Sequence, residues 1–245
     1  MSVIDTYGPQ SLGDVIIPNQ RTKKILTQIG LGNLTAHVLL HGPSGTGKST
    51  IAKMLTEQIG ASNDVKVEKD YNLVLSQKNI WAYIATQLNV LNMYGGAPKY
   101  IMWFDEFDLC KQQLDIFWNA LDRFKKTEVM LIATTNSLHK IPMPLQSRCQ
   151  VHHIPSLTVQ DFLPHAIDVL DQEGIYLQVE YVVGCLNMVQ HFGDFRKYCD
   201  QLDQIILDNM LDSIPAHVYV QPPAPPPVAT PTPQPVVTPP TSTGP

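Results

Sequence analysis

One octapeptide constrains the fold of this 245-residue chain more than any other feature. Gly42-Pro43-Ser44-Gly45-Thr46-Gly47-Lys48-Ser49 fits G-x-x-x-x-G-K-[ST] at every fixed position. Such a loop belongs between a strand that ends beneath it and a helix that starts from it, because backbone N–H groups must converge there on one anion. The flanks agree. Ala36–Leu40 is an unbroken apolar run, and Ile51, Leu55 and Ile59 recur every four residues before Gly60, a helix stop signal. The glycines let the backbone wrap a β-phosphate without side-chain obstruction. Lys48 brings positive charge to the β- and γ-phosphates, Ser49 offers a hydroxyl to Mg²⁺, and Thr50 continues the phosphate-binding stretch into the helix. The implied ligand is ATP with magnesium.

Two further runs, Tyr100–Phe104 and Val129–Ala133, are apolar on consecutive residues rather than alternating. That pattern predicts strands buried on both faces of a parallel sheet. Asp64–Glu68 and Gln150–Ile154 are weaker candidates that bring the count to five. Helical patterns intervene, with Leu114, Phe117, Leu121 and Phe124 marking one apolar stripe. The expectation is an α/β domain over residues 1–155 with crossover connections. After Pro155 the strand signals stop. Thr158-Val159-Gln160-Asp161 reads as a capping box that opens a helix reaching Gly174, with Pro164 inside it. A second helix over Glu180–His191 and a third from Asp194 complete a small three-helix domain, residues 156–215.

Residues 216–245 differ from the rest. Eleven of the 20 prolines fall between Pro222 and Pro245, in a stretch with no aromatic residue and no charge. Such a segment cannot build a core and reads as a disordered extension, although its P-x-x-P spacings also suit a polyproline ligand. Elsewhere the hydrophobic fraction of 44% is ordinary, and no apolar run reaches the ~20 residues of a membrane span. The start lacks the basic and apolar regions of a signal peptide, so a cytoplasmic protein is expected. Cys110, Cys149, Cys185 and Cys199 form no C-x-x-C pair, which argues against a zinc ribbon and for buried thiols. The net charge of −5 argues against a chain coated by nucleic acid but leaves room for a local basic groove.

The chemistry-bearing residues follow the strands. Asp105-Glu106 come directly after Tyr100–Phe104, at the carboxyl edge where open parallel sheets bind ligands. Asp105 is suited to hold the Mg²⁺ shell, and Glu106 to orient or deprotonate an attacking water. Asn136, in Thr134-Thr135-Asn136, follows the next strand in the same way and is suited to hydrogen-bond a γ-phosphate or the water. Alone, an asparagine there is a turn residue. Arg148 lies before the last strand and Arg196 at the start of the third lid helix. A guanidinium aimed at a γ-phosphate stabilises phosphoryl transfer, whereas the usual fate of an arginine is a surface ion pair. Spacing does not choose between these.

Taken together, these residues resemble the AAA+ ATPases, and within them the sliding-clamp loaders, most closely the ATPase subunit of tailed-phage clamp loaders. The resemblance covers roughly residues 3–210. It is carried by Tyr7-Gly8-Pro9, Asp14-Val15-Ile16-Ile17-Pro18, the phosphate loop, Phe104-Asp105-Glu106-Phe107-Asp108, Thr134–Asn136, Pro144-Leu145-Gln146-Ser147-Arg148-Cys149 and Asp194-Phe195-Arg196-Lys197. The Ser-Arg-Cys triplet is its most specific part. The resemblance implies that Tyr7 and Ile16 line an adenine pocket, that Asn136 is sensor 1, and that Arg196 is sensor 2. It implies that Arg148 is an arginine finger acting on ATP held by a neighbour. Other loader subunits, a sliding clamp and primer–template DNA are the implied partners, with no membrane.

Two features depart from the family pattern: Gly8 stands where an arginine is usual, and the proline-rich tail begins where a collar domain is expected. Lys78, Lys111, Arg123, Lys125 and Lys126 are candidates for DNA phosphate contact, against the plainer reading of solvated lysine-rich faces. Two other functions stay open: another AAA+ DNA remodeller of helicase-loader or branch-migration type, and a nucleotide-binding scaffold without turnover.

Overall fold

The computed structural model describes residues 2–60, 65–93, 98–107 and 115–221. Lys111, Asp108, Cys110, Leu114 and the proline-rich segment from Pro222 onward lie outside the described residues. The phosphate loop's strand is β1 (His37–His41). Its consecutive apolar residues divide between two faces, as a doubly covered strand requires. Val38 and Leu40 pack with Leu26, Ile29, Ile51 and Leu55, from α2 (Gln20–Gly30) and α3 (Lys48–Ile59). Leu39 packs on the other face with Val74, Ile84 and Phe117, from α4 (Tyr71–Leu75), α5 (Ile80–Asn92) and α6 (Asp115–Leu121). An alternating strand would leave one of these helix layers without an apolar surface.

The other strands are β2 (Val65–Glu68), β3 (Lys99–Phe104), β4 (Val129–Thr135) and β5 (Cys149–His153). All five pair in parallel, in the order β2-β3-β4-β1-β5. Each expected strand exists, displaced by a residue or so. The order puts β4 between β3 and β1, so the loops after these three strands meet at one edge of the sheet. Phe124, expected on the α6 stripe, lies in the turn after that helix but still packs against the same core. A short helix, α7 (Met143–Gln146), precedes β5.

Beyond the sheet stand α8 (Val159–Gln172), α9 (Val179–Asn187) and α10 (Phe195–Met210). The capping box opens α8: Thr158 accepts from the Asp161 amide while Asp161 accepts from the Thr158 amide. The helix runs on through Pro164. The three helices share a core in which Phe162 stacks on Tyr198, ring centroids 5.0 Å apart. Two segments distant in sequence join this core. Val3, from α1 (Val3–Thr6), is buried in it, and its amide donates to Asp203 at 2.8 Å. Val218 is also buried there, and Leu177 bridges Tyr219, so packed chain continues past residue 215. Among the described residues no helix is long and apolar enough to cross a membrane.

Candidate nucleotide site

The phosphate loop is shaped by what lies against it. Gly42 has φ of +148°, and a Cβ there would come within 2.1 Å of the Ile154 carbonyl oxygen just past β5. Gly45 has φ of +77°, and a Cβ there would meet the Asp194 carboxyl group at 2.0–2.4 Å. Neither position tolerates a side chain, for different reasons: one faces the sheet, the other faces the lid. Lys48 is buried at the start of α3, and its ammonium donates to the Pro43 carbonyl at 2.5 Å. Thr46 donates to the same carbonyl at 3.0 Å. The cation is thereby folded back over the loop, inside the ring of backbone amides that an anion would occupy.

The carboxyl edge of the sheet supplies the rest. The Ser49 hydroxyl donates to Asp105 Oδ1 at 2.7 Å, and Thr134 Oγ1 donates to the same oxygen at 2.5 Å. Thr134 Oγ1 also accepts from the Glu106 amide at 3.0 Å. One buried hydroxyl on β4 thus fixes both acidic residues on β3's exit. Glu106 has φ of +48°, a left-handed conformation rare for a side chain of its kind. The Thr134 bond supports that turn and leaves the Glu106 side chain exposed. Ser49 and Asp105 together present hard oxygen donors at one point, which suits Mg²⁺. That ion takes one or two protein oxygens and completes its octahedron with phosphate and water.

A cavity of about 730 Å³ runs from this edge toward the lid. Ser44–Thr50, Glu106, Asn136, Arg196, Tyr7 and Ile16 are all among its lining residues. Its size suits a nucleotide. Tyr7 donates to Glu173 on the lid at 2.6 Å, a bond that raises its phenol's pKa and ties the amino-terminal segment to the carboxyl end of α8. Gly42 and Pro43 shape the loop without lining the cavity. Arg196 donates to both Asp194 oxygens, at 3.3 and 3.2 Å.

Arg148 is elsewhere. It precedes β5, whose Cys149 pairs with His37 at the start of β1, while the phosphate loop follows the end of β1. A five-residue strand spans roughly 16 Å. Arg148 therefore sits at the opposite edge of the sheet from its own phosphate loop. There it grips Asp122 through Nε, at 2.8 Å, and through Nη2, and donates Nη1 to the Pro144 carbonyl at 2.6 Å. The guanidinium holds the Asp122 carboxyl below its usual range.

Burial pushes the thiol of the neighbouring, half-buried Cys149 up to about 12, in keeping with an unreactive cysteine. Of the basic candidates, Arg123 lies 5.7 Å over the Trp81 ring, Lys125 pairs with Glu128 at 3.9 Å, and Lys78 and Lys126 are exposed. Two residues to which the sequence assigns no role join the site, Thr134 and Asp194, both inside motifs that carry the family resemblance.

Residues 38–156 match the family described as "ATPase family associated with various cellular activities (AAA)". The chain is similar to the sliding-clamp-loader large subunits of Escherichia phage RB69 and Enterobacteria phage T4, at 29% identity to each over 84% of this chain. It spans 65% of the length of either relative. A replication factor C small subunit of Methanocella arvoryzae is 24% identical over 81% of this chain and 61% of its own. The fold matches the Thermotoga maritima RuvB Holliday junction branch migration motor, with a TM-score of 0.56 over 84% of this chain and 67% of the other, at 19% identity.

Proposed function

We propose that this chain is an ATP-dependent motor subunit of a sliding-clamp loader, with each ATP held by one subunit and its hydrolysis completed by the next. The observation that carries the shared site is the placement of Arg148. Lys48, Ser49, Asp105, Glu106, Asn136 and Arg196 gather at the carboxyl edge of the sheet and the lid, whereas Arg148 lies a strand's length away at the other edge. A side chain there cannot reach its own nucleotide, which supports a role at a neighbour's.

In this reading the base lies toward Tyr7 and Ile16, and the phosphates lie in Gly42–Thr50. Mg²⁺, when bound, would supply positive charge to the phosphate oxygens. Lys48 leaves the Pro43 carbonyl for the phosphate, and Ser49 and Asp105 hold the metal. Glu106 orients the water and takes its proton as oxygen attacks the γ-phosphorus and the bond to the β-phosphate breaks. Asn136 steadies the water, while the neighbour's Arg148 stabilises the charge that spreads over the γ-phosphoryl oxygens. The similarity to phage clamp-loader subunits supports the further step, in which this cycle opens a ring-shaped clamp and closes it on primer–template DNA.

The test is ATP turnover by the purified assembly with and without its cognate clamp and primer–template DNA. The reading predicts stimulation by the two together. Absence of stimulation, with branched DNA substituting for them, would favour a branch-migration motor instead. Turnover left unchanged by Glu106→Gln would favour a nucleotide-binding scaffold.

A further inference from the structure

We propose that Asp194 is a positioning residue that occupies Arg196 until a triphosphate takes its place. The proposal rests on the nucleotide-binding reading above and adds to it. Asp194 lies at the junction of lid and phosphate loop. Its carboxyl group packs on Gly45 so closely that a Cβ on that glycine would overlap it, and the next amide, that of Phe195, donates to the Gly45 carbonyl at 3.0 Å. The same carboxylate caps α10 by accepting from the Arg196 amide at 2.9 Å. It also pairs with the Arg196 guanidinium through both oxygens. The Asp194 side chain is 19% exposed and that of Arg196 61% exposed, so the acid is fixed and the cation is the mobile partner.

These contacts place an anion against the phosphate loop and on Arg196, a lid cation that lines the cavity. A triphosphate entering the loop brings a stronger, more highly charged acceptor to the same guanidinium. Arg196 then exchanges carboxylate for phosphate. The carboxylate stays behind as the α10 cap and the lid's anchor on Gly45. The cost of breaking the Asp194–Arg196 pair lowers the wild-type affinity for ATP, and lowers it more than for ADP, because the third phosphate is the one that competes for the guanidinium.

The experiment is nucleotide titration calorimetry on the full chain, with ATP and with ADP. It compares wild type, Asp194→Asn, Arg196→Ala and the double variant. Asparagine caps a helix as well as aspartate does, so Asp194→Asn removes the charge and keeps the cap. Asp194→Ser, another good cap, guards against an idiosyncratic asparagine, and thermal unfolding checks that each variant folds. Freeing an exposed ion pair gives a gain of roughly fivefold in ATP affinity for Asp194→Asn, a smaller gain for ADP, and no gain in the Arg196→Ala background. A structural lesion would weaken both nucleotides instead. The inference is overturned if wild type binds ATP and Asp194→Asn binds it no tighter, or if the gain survives loss of Arg196. Failure of wild type to bind ATP would overturn the nucleotide reading itself.

Discussion

The hydroxyl of Thr134 shows how much one buried oxygen organises. It donates to Asp105 and accepts from the Glu106 amide, so it fixes these two acidic residues relative to each other. Thr134→Val keeps the shape and removes both bonds. Turnover is expected to fall by roughly 10- to 100-fold, the usual cost of losing an outer-shell partner, with ATP affinity changed far less. Steady-state kinetics beside a binding titration check this, and an equal loss in both would argue for a packing role. Gly45→Ala is the complementary test. Its Cβ meets the Asp194 carboxyl group, and its φ of +77° disfavours a side chain, so a loss of about 1–2 kcal/mol in stability is expected in denaturant unfolding.

The placement of Asp105, Glu106, Asn136 and the loop at one edge of the sheet was legible in the sequence, because each follows an unbroken apolar run that fits a buried strand. Thr134 and Asp194 were not legible in these roles. Their partners come from the ends of other elements, and nothing local distinguishes Thr134 from an ordinary strand residue or Asp194 from an ordinary helix cap.

Elements carry the second level of organisation. The five strands and α8 follow from local pattern, and the capping box at Thr158 is formed as the spacing predicts. Thr158→Ala is expected to cost about 1 kcal/mol and lower the melting temperature by roughly 2–4 °C, read by circular dichroism. The amino-terminal α1 was harder to foresee. Its four residues have no periodicity to read, and it is held by Val3 in the lid core and by the Asp203 bond. Such contacts cross nearly the whole chain. The same holds for Val218, buried in the lid core beside the Leu177–Tyr219 bridge.

At the scale of the whole molecule, protons and neighbours both matter. Burial is the leading cause that lowers His37, to about 4, and it also lowers His41, His152 and His165. His37 stays neutral and accepts the Leu131 amide on Nδ1 at 3.1 Å. Its unfolded form takes up a proton below about 6.5, so its contribution is present above that pH and is lost as pH falls toward 4, by about 1.4 kcal/mol per unit. His37→Asn keeps an acceptor and cannot titrate. The loss of stability between pH 7 and pH 5 should shrink by about 2 kcal/mol in that variant, and an unchanged slope would count against the assignment.

The larger claim is that the active site is divided between chains. It is tested by mixing two inactive variants of the assembled protein, Arg148→Ala and Glu106→Gln, and measuring ATP turnover. The first keeps an intact nucleotide edge and lacks the donated arginine; the second donates the arginine and cannot activate water. With random equal mixing, about a quarter of the interfaces pair an intact edge with an intact arginine, so turnover should return to about a quarter of the wild-type rate. Turnover that stays at the sum of the two variants, or an Arg148→Ala protein as active as wild type, would contradict a shared site.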